Sequence, residues 1–307
     1  MNKLLTKKVI IDCDPGADDA IAIMLALNSN EIDILGITTV SGNAPLENCT
    51  QNALDIINSF SKKNIPIYAG LDKPIKRDIK FTDEYCGKNG ICEYEFGKSN
   101  EAAQTLDAVD FIYNSAVNEE KLTIIAIAPM SNIAKALIKY PDLKDKNIEI
   151  ITMAGYYKVN SNVDVKRSEW NVLIDPEAFE IVCNSGIPMY SLGLDVSRNL
   201  KDEYVYDIIN SCGKSESMNF LVHSKDYYLN KNLSPKSLLV DSLPVAFVIE
   251  KSIAKFKSGN VTIQYQDKID SNIIKFNQNG KKSNIYAAYE LDLNYVVKIL
   301  KERVFDK

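Results

Sequence analysis

Residues 9–20, with the sequence VIIDCDPGADDA, constrain the fold of this chain more than any other stretch. Residues 9–11 are apolar and β-branched, which predicts a buried strand of a parallel sheet. Pro15 and Gly16 end this strand, and the apolar pattern of residues 20–27 then predicts a helix packed on apolar neighbours. In open α/β sheets ligands bind at the carboxyl ends of the strands, so we expect this turn to lie at a binding edge.

The turn is crowded with acids, since Asp12, Asp14, Asp18 and Asp19 lie within eight positions of one another. Like charges a few ångströms apart raise one another's pKa, and partial burial increases this penalty. A hard divalent cation with oxygen ligands, Ca²⁺ or Mg²⁺, relieves the repulsion, and a sugar site is the other functional interpretation. The structural alternative makes Asp18 a helix cap, leaves Asp19 in solvent and ties Asp12 to backbone amides. We favour the metal or sugar site because the acids surround a single Pro-Gly turn.

Alternating strand and helix patterns continue along the chain and predict an α/β fold. We expect a mostly parallel, doubly wound, Rossmann-like sheet flanked by helices. The predicted strands cover residues 9–11, 32–40, 65–68, 122–128, 148–153 and 188–192, and the predicted helices cover residues 20–27, 45–60, 102–118, 131–140, 176–186, 201–232 and 241–253. Strands at residues 261–265 and 285–289 predict a small extra β-hairpin region near the C-terminus, before a final helix from Asp292. No repeat or linker interrupts the pattern, so residues 1–307 are predicted to form a single domain.

Composition and charge indicate the compartment and the partners. Apolar residues make up 46% of the chain and charged residues 25%, which is typical of a soluble globular protein. The net charge of -5 and the lack of a basic cluster argue against nucleic acid as a partner. The six cysteines form no C-x-x-C pair, and neither a signal peptide nor a transmembrane stretch is recognised. We therefore expect a cytoplasmic protein with free thiols and no membrane partner.

Three motifs carry a resemblance to a known family. The run DCDPGADDA at residues 12–20 resembles the amino-terminal signature of the inosine-uridine preferring nucleoside hydrolases. The sequence EWN at residues 169–171, followed by DPEA at residues 175–178, resembles a second motif of that family, and TVSGN at residues 39–43 resembles its T-x-x-G-N. The resemblance covers nearly the whole chain. It implies a Ca²⁺-dependent enzyme that hydrolyses the N-glycosidic bond of ribonucleosides to ribose and free base, as a homodimer or homotetramer.

The same resemblance assigns the metal ligands and the catalytic residues. Asp14 and Asp19 would bind Ca²⁺, Asp241 would close the coordination from far along the chain, and the backbone carbonyl of Ile127 would complete the protein ligands. Asp14 would also take the proton of the attacking water held at the ion, with Asn43 as the second catalytic residue. The bond would break through an oxocarbenium-like transition state, which nearby negative charge stabilises.

The substrate-binding residues implied by the resemblance come from several stretches. They are Asp18, Asn43, Met153, Asn160, Asn162, Glu169, Trp170 and Asn171. Asp18, Glu169 and Asn171 would hold ribose hydroxyls, while Trp170, the only tryptophan, would form a wall beside the sugar.

Some of these assignments have alternatives. Asn160 or Asn162 could be the sugar-binding asparagine of the family, because the spacing here is longer by about two residues. Asn43 follows a glycine and could be a simple turn residue. Met153 and Trp170 could equally fill the hydrophobic core.

Two departures from the family's pattern concern the side of the site that would hold the base. The family usually has His-Asp before the late helix, where this chain has Val240 and Asp241. It also commonly has H-G-x-x-G in the long loop, where residues 86–90 read CGKNG. The only histidine, His223, lies in a predicted helix and is interpreted as a structural residue. Both expected imidazoles are therefore missing.

Assistance to the leaving base must then come from another group. General acid catalysis is typically worth about 10²–10⁴-fold, so we expect slow turnover unless Cys86, Tyr227, Tyr228 or solvent substitutes. Cys86 stands at the position of the missing loop histidine, and its alternative is an unreactive loop thiol.

Two other functions are compatible with parts of the sequence. A degenerate relative could bind ribose or a nucleoside without useful turnover, because the base side is altered while the sugar side is intact. A phosphatase of the haloacid dehalogenase type would explain Asp12-x-Asp14 after an apolar strand. That family requires Thr or Val where this chain has Gly16, which makes the phosphatase a remote alternative.

Overall fold

A nine-stranded sheet forms the centre of the molecule. The structure, a computed structural model, describes residues 6–61, 63–79, 81, 83–159, 168–264, 273–278 and 283–306. The strands are β1 (Lys7–Cys13), β2 (Ile32–Thr39), β3 (Ile67–Ala69), β4 (Leu122–Ala126), β5 (Ile148–Thr152), β6 (Met189–Ser191), β7 (Ala254–Gln264), β8 (Ile273–Asn277) and β9 (Ile285–Leu291). Their order is β3-β2-β1-β4-β5-β6-β9-β7-β8. Strands pair in parallel from β3 to β9, and β7 is antiparallel to both of its neighbours.

The order in which strands are added to the sheet reverses between β1 and β4. These two strands lie side by side although β2 and β3 separate them along the chain. This is the strand order of Rossmann-like doubly wound sheets, in which a crevice opens at the carboxyl ends of the two strands at the reversal. The backbone N–H of Ile127, just after β4, donates to the Asp12 carbonyl at 2.9 Å. The acidic turn after β1 therefore lies at the mouth of this crevice.

Helices cover both faces of the sheet. They are α1 (Ala17–Leu27), α2 (Leu46–Phe60), α3 (Asp83–Cys86), α4 (Ala108–Asn118), α5 (Ser131–Lys139), α6 (Trp170–Ile174), α7 (Pro176–Cys183), α8 (Leu194–Ser197), α9 (Asp202–Ser211), α10 (Glu216–Asn230), α11 (Ser242–Ile249) and α12 (Leu293–Leu300). Short 3-10 helices cover Pro141–Asp145, Pro235–Leu239 and Lys251–Ile253, and a π-helical turn covers Lys301–Phe305.

Alternate residues of β1 face opposite layers of the core. Val9 and Ile11 pack in a hydrophobic cluster with α1, α2, α11 and α12, whereas Ile10 packs in a second cluster with α4, α5 and α7. All three side chains are fully buried. A strand buried on both faces requires this period of two. The predicted α/β fold with a mostly parallel, doubly wound sheet flanked by helices is confirmed.

Several elements differ in detail from the predictions, and residues 201–232 form two helices, α9 and α10. α4 begins at Ala108 and not at residue 102, because Asp107 accepts the N–H of Asp110 at 2.8 Å and caps the helix there. β7 begins at Ala254 and not at residue 261. β9 pairs in parallel with β6 and antiparallel with β7, so the C-terminal strands extend the main sheet and are not a region apart from it.

The C-terminal π-helical turn packs against the loop between α1 and β2. Arg303 donates from Nη1 and Nη2 to the carboxylate of Glu31 at 2.8 and 3.0 Å. A single domain over residues 1–307 stays a prediction. No helix in the described ranges is long and apolar enough to cross a membrane.

Candidate active site

Asp19 closes the turn between β1 and α1. Its carboxylate accepts the backbone N–H of Gly16 at 2.9 Å and that of Asp14 at 3.3 Å. Gly16 is the N-cap residue of α1 and Asp19 is the third residue of the helix, so its side chain reaches back over the first turn. Asp19 is fully buried and does not lie in solvent as the structural alternative assumed.

Asn43 joins the end of β2 to this turn. Its backbone N–H donates to Asp14 Oδ2 at 2.7 Å, and its Nδ2 donates to the Asp14 carbonyl at 3.2 Å and to Asp19 Oδ2 at 3.1 Å. A Cβ on Gly42 would lie 2.1 Å from Asp14 Oδ2, so only glycine permits this close approach. The other oxygen, Asp14 Oδ1, is buried and has no hydrogen-bond partner among the described residues. That oxygen is therefore available to a ligand or a proton.

Asp241 reaches the same turn from the far end of the chain. It directly precedes α11, which packs against α1 in the same hydrophobic cluster. One carboxylate oxygen each of Asp18, Asp19 and Asp241 lies within 4.8 Å of the others, and we call these three residues the acid group. Asp14 is outside this group, although the charge of Asp19 acts on its pKa. The third acid beside Asp19 and Asp241 is therefore Asp18, whereas the family resemblance implied Asp14.

Burial raises the pKa of each of these aspartates. The pKa of Asp18 rises to about 6 and that of Asp19 to about 8. Burial and then the charge of Asp18 hold the pKa of Asp241 well above its ordinary value, and burial and then the charge of Asp19 do the same for Asp14. Without a compensating positive charge, these carboxylates retain protons at a pH where aspartate is ordinarily ionised.

The oxygen atoms at this turn suit a hard divalent cation. The acid group supplies three carboxylates, and the buried Asp14 Oδ1 lacks a partner in the described part of the chain. Carboxylate and carbonyl oxygens are the ligands that Ca²⁺ and Mg²⁺ prefer. The carbonyl of Ile127, the further ligand implied by the resemblance, accepts Asn171 Nδ2 at 3.1 Å and retains a second lone pair. The residues present therefore fit such an ion.

The segment of residues 169–171 is fixed beside the ends of β4 and β5. Asn171 Nδ2 donates to the carbonyls of Ile127 and Met153, at 3.1 and 2.9 Å. Glu169 is buried and caps α6, and its carboxylate accepts three backbone N–H groups at 2.8, 3.0 and 3.2 Å. The protein itself positions both side chains, so no ligand is needed to order them.

A cavity of about 260 Å³ opens at the acid group. Most of the site residues predicted from the sequence line it: Asp18, Asn43, Ile127, Met153, Glu169, Trp170, Asn171 and Asp241. Asp14 and Asp19 are buried next to these residues. Asn160 and Asn162 lie outside the described residues.

Five further lining residues were missed by the sequence reasoning, because they belong to no motif. They are Leu194, Ser197, Arg198, Lys236 and Ser237, and they line the cavity together with Val240, which the sequence already marked as a departure on the base side. The first three follow the carboxyl end of β6, which was the one available signal, since ligands bind at that edge of an open sheet.

The sequence from β1 to the last helix falls within one family model. That model, described as inosine-uridine preferring nucleoside hydrolase, matches residues 9–298. The chain belongs to this family. The resemblance seen in the sequence is confirmed, and the family is metal-dependent, in keeping with the acid group. The phosphatase alternative is left without support.

Curated relatives of this nucleoside hydrolase family member match part of the chain. A pyrimidine-specific ribonucleoside hydrolase of Escherichia coli is 37% identical over 192 residues, which cover 62% of this chain and 60% of that protein. An uncharacterised protein of Schizosaccharomyces pombe is 38% identical over 195 residues, which cover 63% of each chain. The matched region thus spans less than two thirds of the length of these relatives.

Solved nucleoside hydrolases resemble this chain over nearly its full length. A purine-preferring ribonucleoside hydrolase from Gardnerella vaginalis has a TM-score of 0.83 at 28% identity, covering 96% of this chain and 98% of its own. A plant nucleoside hydrolase has a TM-score of 0.86 at 24% identity, covering 98% of this chain and 99% of its own, and shows the shared fold. The doubly wound sheet is therefore the fold of the nucleoside hydrolase family.

On the base side, this chain departs from the pattern of its family. Val240 lines the cavity directly before Asp241. Cys86 is buried, and its Sγ lies 3.7 Å from Asn43 Oδ1. Tyr228 is also buried, and burial, followed by the proximity of Cys86 and Asp18, raises its pKa well above the ordinary value. Cys86 and Tyr228 are therefore neighbours of the site, although neither is a lining residue of the cavity.

Tyr227 and His223 contact the long loop. A Cβ on Gly87 would lie 3.2 Å from Tyr227 Oη, which places this hydroxyl against the loop backbone. His223 Nε2 lies 2.8 Å from the Cys92 carbonyl, and its ring packs edge-on against Tyr94 with centroids 5.1 Å apart. His223 thus fastens the loop to α10 and does not line the cavity.

Proposed function

We propose that this protein cleaves the N-glycosidic bond of ribonucleosides to give ribose and the free base. The observation that carries the proposal is the acid group at a cavity that Asn43, Trp170 and Asn171 also line. Acids and amides are the partners that ribose hydroxyls require, and the apolar side chains of the same cavity suit a flat base. One relative is named pyrimidine-specific and another purine-preferring, so the proposal covers ribonucleosides of both kinds.

We propose calcium as the ion of the acid group. Asp19 and Asp241 would hold it together with Asp14, the ligand implied by the resemblance, or Asp18, the residue that the geometry gathers, and with the Ile127 carbonyl. When bound, the ion would keep these acids ionised, leave room for sugar hydroxyls in its coordination, and make a nearby water easier to deprotonate.

Asp14 is the residue that we propose as the general base. Asn43 holds Asp14 Oδ2 and leaves Oδ1 buried and free to accept a proton from water. Without an ion, burial and the charge of Asp19 raise the pKa of Asp14, so the bound ion would be needed to keep its carboxylate ionised and able to act as a base. Asn43 also lines the cavity, so we propose it as the second catalytic residue.

The sugar would lie between the acid group and the segment of residues 169–171. Asp18, Glu169 and Asn171 would accept ribose hydroxyls, while Met153 and Trp170 would flank the ring. Positive charge develops on the sugar as the bond to the base breaks, and the surrounding carboxylates stabilise it. The proposed chemistry therefore requires several carboxylates close to the sugar.

The site lacks the histidine that the family usually places beside the leaving base. Val240 stands where the family usually has histidine, and the described lining of the cavity contains no imidazole. We propose that Tyr228, with Cys86 or Tyr227 as further candidates, assists departure of the base, and that turnover is slow. A protein that binds nucleosides without turnover is the second candidate function, and the position of Val240 is the observation that favours it.

Release of ribose distinguishes the two functions. Purified protein is incubated with inosine, adenosine, uridine and cytidine, in Ca²⁺ and in excess chelator. We expect ribose only with Ca²⁺, and loss of about 10²-fold or more in kcat for Asp14→Asn. The control Asp33→Asn removes an acid that pairs with Lys8 at the surface, and it should retain the rate of the unaltered protein. Tight nucleoside binding without ribose would favour the second candidate.

We propose further that the protein acts in the cytoplasm as a homodimer or homotetramer. Light scattering of the purified protein measures its mass directly. A monomer would contradict the proposed assembly and leave the proposed reaction open to its own test.

A further inference from the structure

Two basic side chains share the cavity with the acid group. Arg198 and Lys236 are both lining residues. Arg198 is the C-cap residue of α8, and its guanidinium carbon lies 4.8 Å from the centroid of the Tyr156 ring. Lys236 is half-buried, and its Nζ lies 3.4 Å from the Arg198 carbonyl. The two cations therefore belong to one wall of the cavity, which we call the basic wall.

The basic wall lies near acids of the chain, since Asp202 Oδ1 accepts the backbone N–H of Lys236 at 3.0 Å. Among the residues that the structure describes, no carboxylate forms an ion pair with either side chain. Burial raises the pKa of Asp195, against a smaller opposing effect of the Arg198 charge, and its carboxylate accepts the backbone N–H groups of Tyr157 and Val159 at 2.7 and 2.8 Å.

Two other arginines in the described part of the chain are paired with acids. Arg77 donates to both oxygens of Glu177 at 2.7 and 2.9 Å. Arg303 donates to both oxygens of Glu31 at 2.8 and 3.0 Å. Arg198 thus differs from them in presenting its charge to a cavity, where a ligand can take the place of the carboxylate.

Acids and cations line the same cavity. Asp18 and Asp241 contribute carboxylates to its lining, and Arg198 and Lys236 contribute positive charge. A ligand that fills the cavity therefore meets hydroxyl-binding acids and positive charge together.

We propose that the preferred ligand is a ribonucleoside that carries a negative charge, which Arg198 and Lys236 bind while the sugar lies at the acid group. This inference rests on the proposed function and specifies its substrate class. A 5′-phosphate and an ionised base both offer oxygen atoms to a guanidinium and an ammonium group, so the two sources share one chemistry.

Matched pairs of charged and neutral nucleosides test this inference. One arm compares uridine 5′-monophosphate with uridine, and the other compares orotidine with uridine, by calorimetric Kd and by kcat/KM. We expect the charged member to be favoured by about tenfold or more in one arm. The preference should fall towards unity in Arg198→Met and Lys236→Met, and it should weaken at high salt in the unaltered protein. The control Lys144→Met removes the charge of an exposed lysine outside the cavity lining and should retain the preference.

Each result of this experiment decides the inference. A preference in the phosphate arm alone identifies a 5′-phosphate, and one in the orotidine arm alone identifies the ionised base. Equal affinities in both arms, or a preference that survives both substitutions and high salt, would overturn the inference. Ribose release from neutral nucleosides would then still support the proposed function. If no nucleoside releases ribose, the proposed function fails, and the ratio of Kd values still decides whether the basic wall binds an anion.

Discussion

Asn132 Nδ2 donates to Asp12 Oδ1 at 2.8 Å, at the point where the strand order reverses. The same nitrogen donates to the Thr39 carbonyl at 3.0 Å, and Thr38 Oγ1 donates to Asp12 Oδ1 at 2.6 Å. These bonds join the ends of β1 and β2 to the start of α5. Asp12 therefore has a structural role, and we call its hydrogen bonds to Asn132 and Thr38 the brace. Asp12 is not a member of the acid group, and burial raises its pKa to about 6.

Replacement of Asn132 by alanine should therefore destabilise the fold. The substitution removes a donor from a buried carboxylate, and we expect the free energy of unfolding to fall by about 2–3 kcal/mol. Urea unfolding measures this change. The control Asn147→Ala affects an exposed asparagine that donates to the Glu120 carbonyl at 2.8 Å, and a loss of about 0.5 kcal/mol or less is expected. Equal losses in the two variants would contradict the role of the brace.

Replacement of Gly42 by alanine should disturb Asp14. The added Cβ would lie 2.1 Å from Asp14 Oδ2 and 3.1 Å from Pro129 Cδ, so the turn must shift. We expect a loss of about 1–3 kcal/mol in the free energy of unfolding and a fall in kcat larger than that in substrate affinity. Gly213→Ala is the matched control, because nothing lies within 4 Å of its Cβ, and it should be neutral or slightly stabilising. Normal turnover in Gly42→Ala would argue against a positioned Asp14.

Replacement of Asp241 by asparagine should weaken calcium binding. This substitution removes one of the three carboxylates of the acid group, and we expect the Kd for Ca²⁺ to rise by about 10-fold or more. Calorimetric titration of the chelator-treated protein measures the Kd. Asp142→Asn removes a surface acid that pairs with Lys146 and should leave the affinity unaltered. An equal Kd in both variants would place the ion elsewhere.

The metal-free protein should lose stability as the pH rises. The pKa values of Asp18 and Asp19 are about 6 and about 8 in the folded state, against 3.8 for ordinary aspartate, so the folded state holds more protons than the unfolded chain. The stabilisation by these protons is complete below the unfolded pKa and is lost as the pH rises through the folded values. In chelator, we expect Tm to fall between about pH 5 and 9, and Ca²⁺ should raise Tm most at high pH. A Tm that rises with pH in chelator would contradict this linkage.

Replacement of Tyr228 by phenylalanine tests the assistance to the leaving base. If the Tyr228 hydroxyl donates a proton, kcat for nucleosides should fall by about 10²-fold. The rate with p-nitrophenyl riboside should fall far less, because nitrophenolate leaves without a proton. Tyr206→Phe alters an exposed tyrosine and should change neither rate. Equal effects of Tyr228→Phe on both substrates would assign this residue a structural role.

Much of the first layer of the site was predictable from local sequence. The apolar run of β1, the Pro-Gly break and the apolar face of α1 act over a few residues, so a strand, a turn and a helix follow from them directly. The family motifs named most of the residues that line the cavity. The helix cap was less predictable: the structural alternative named Asp18, whereas the side chain of Asp19 is the one that reaches back to Gly16.

Sequence alone determined the strand-turn-helix unit, its crowded acids and the family to which the chain belongs. Only the tertiary structure decided that Asp241 joins Asp18 and Asp19, and that Arg198 and Lys236 form a wall of the same cavity. The physical reason is that helix packing and strand order bring distant residues together. Local propensity acts over a few residues and carries no information about such contacts.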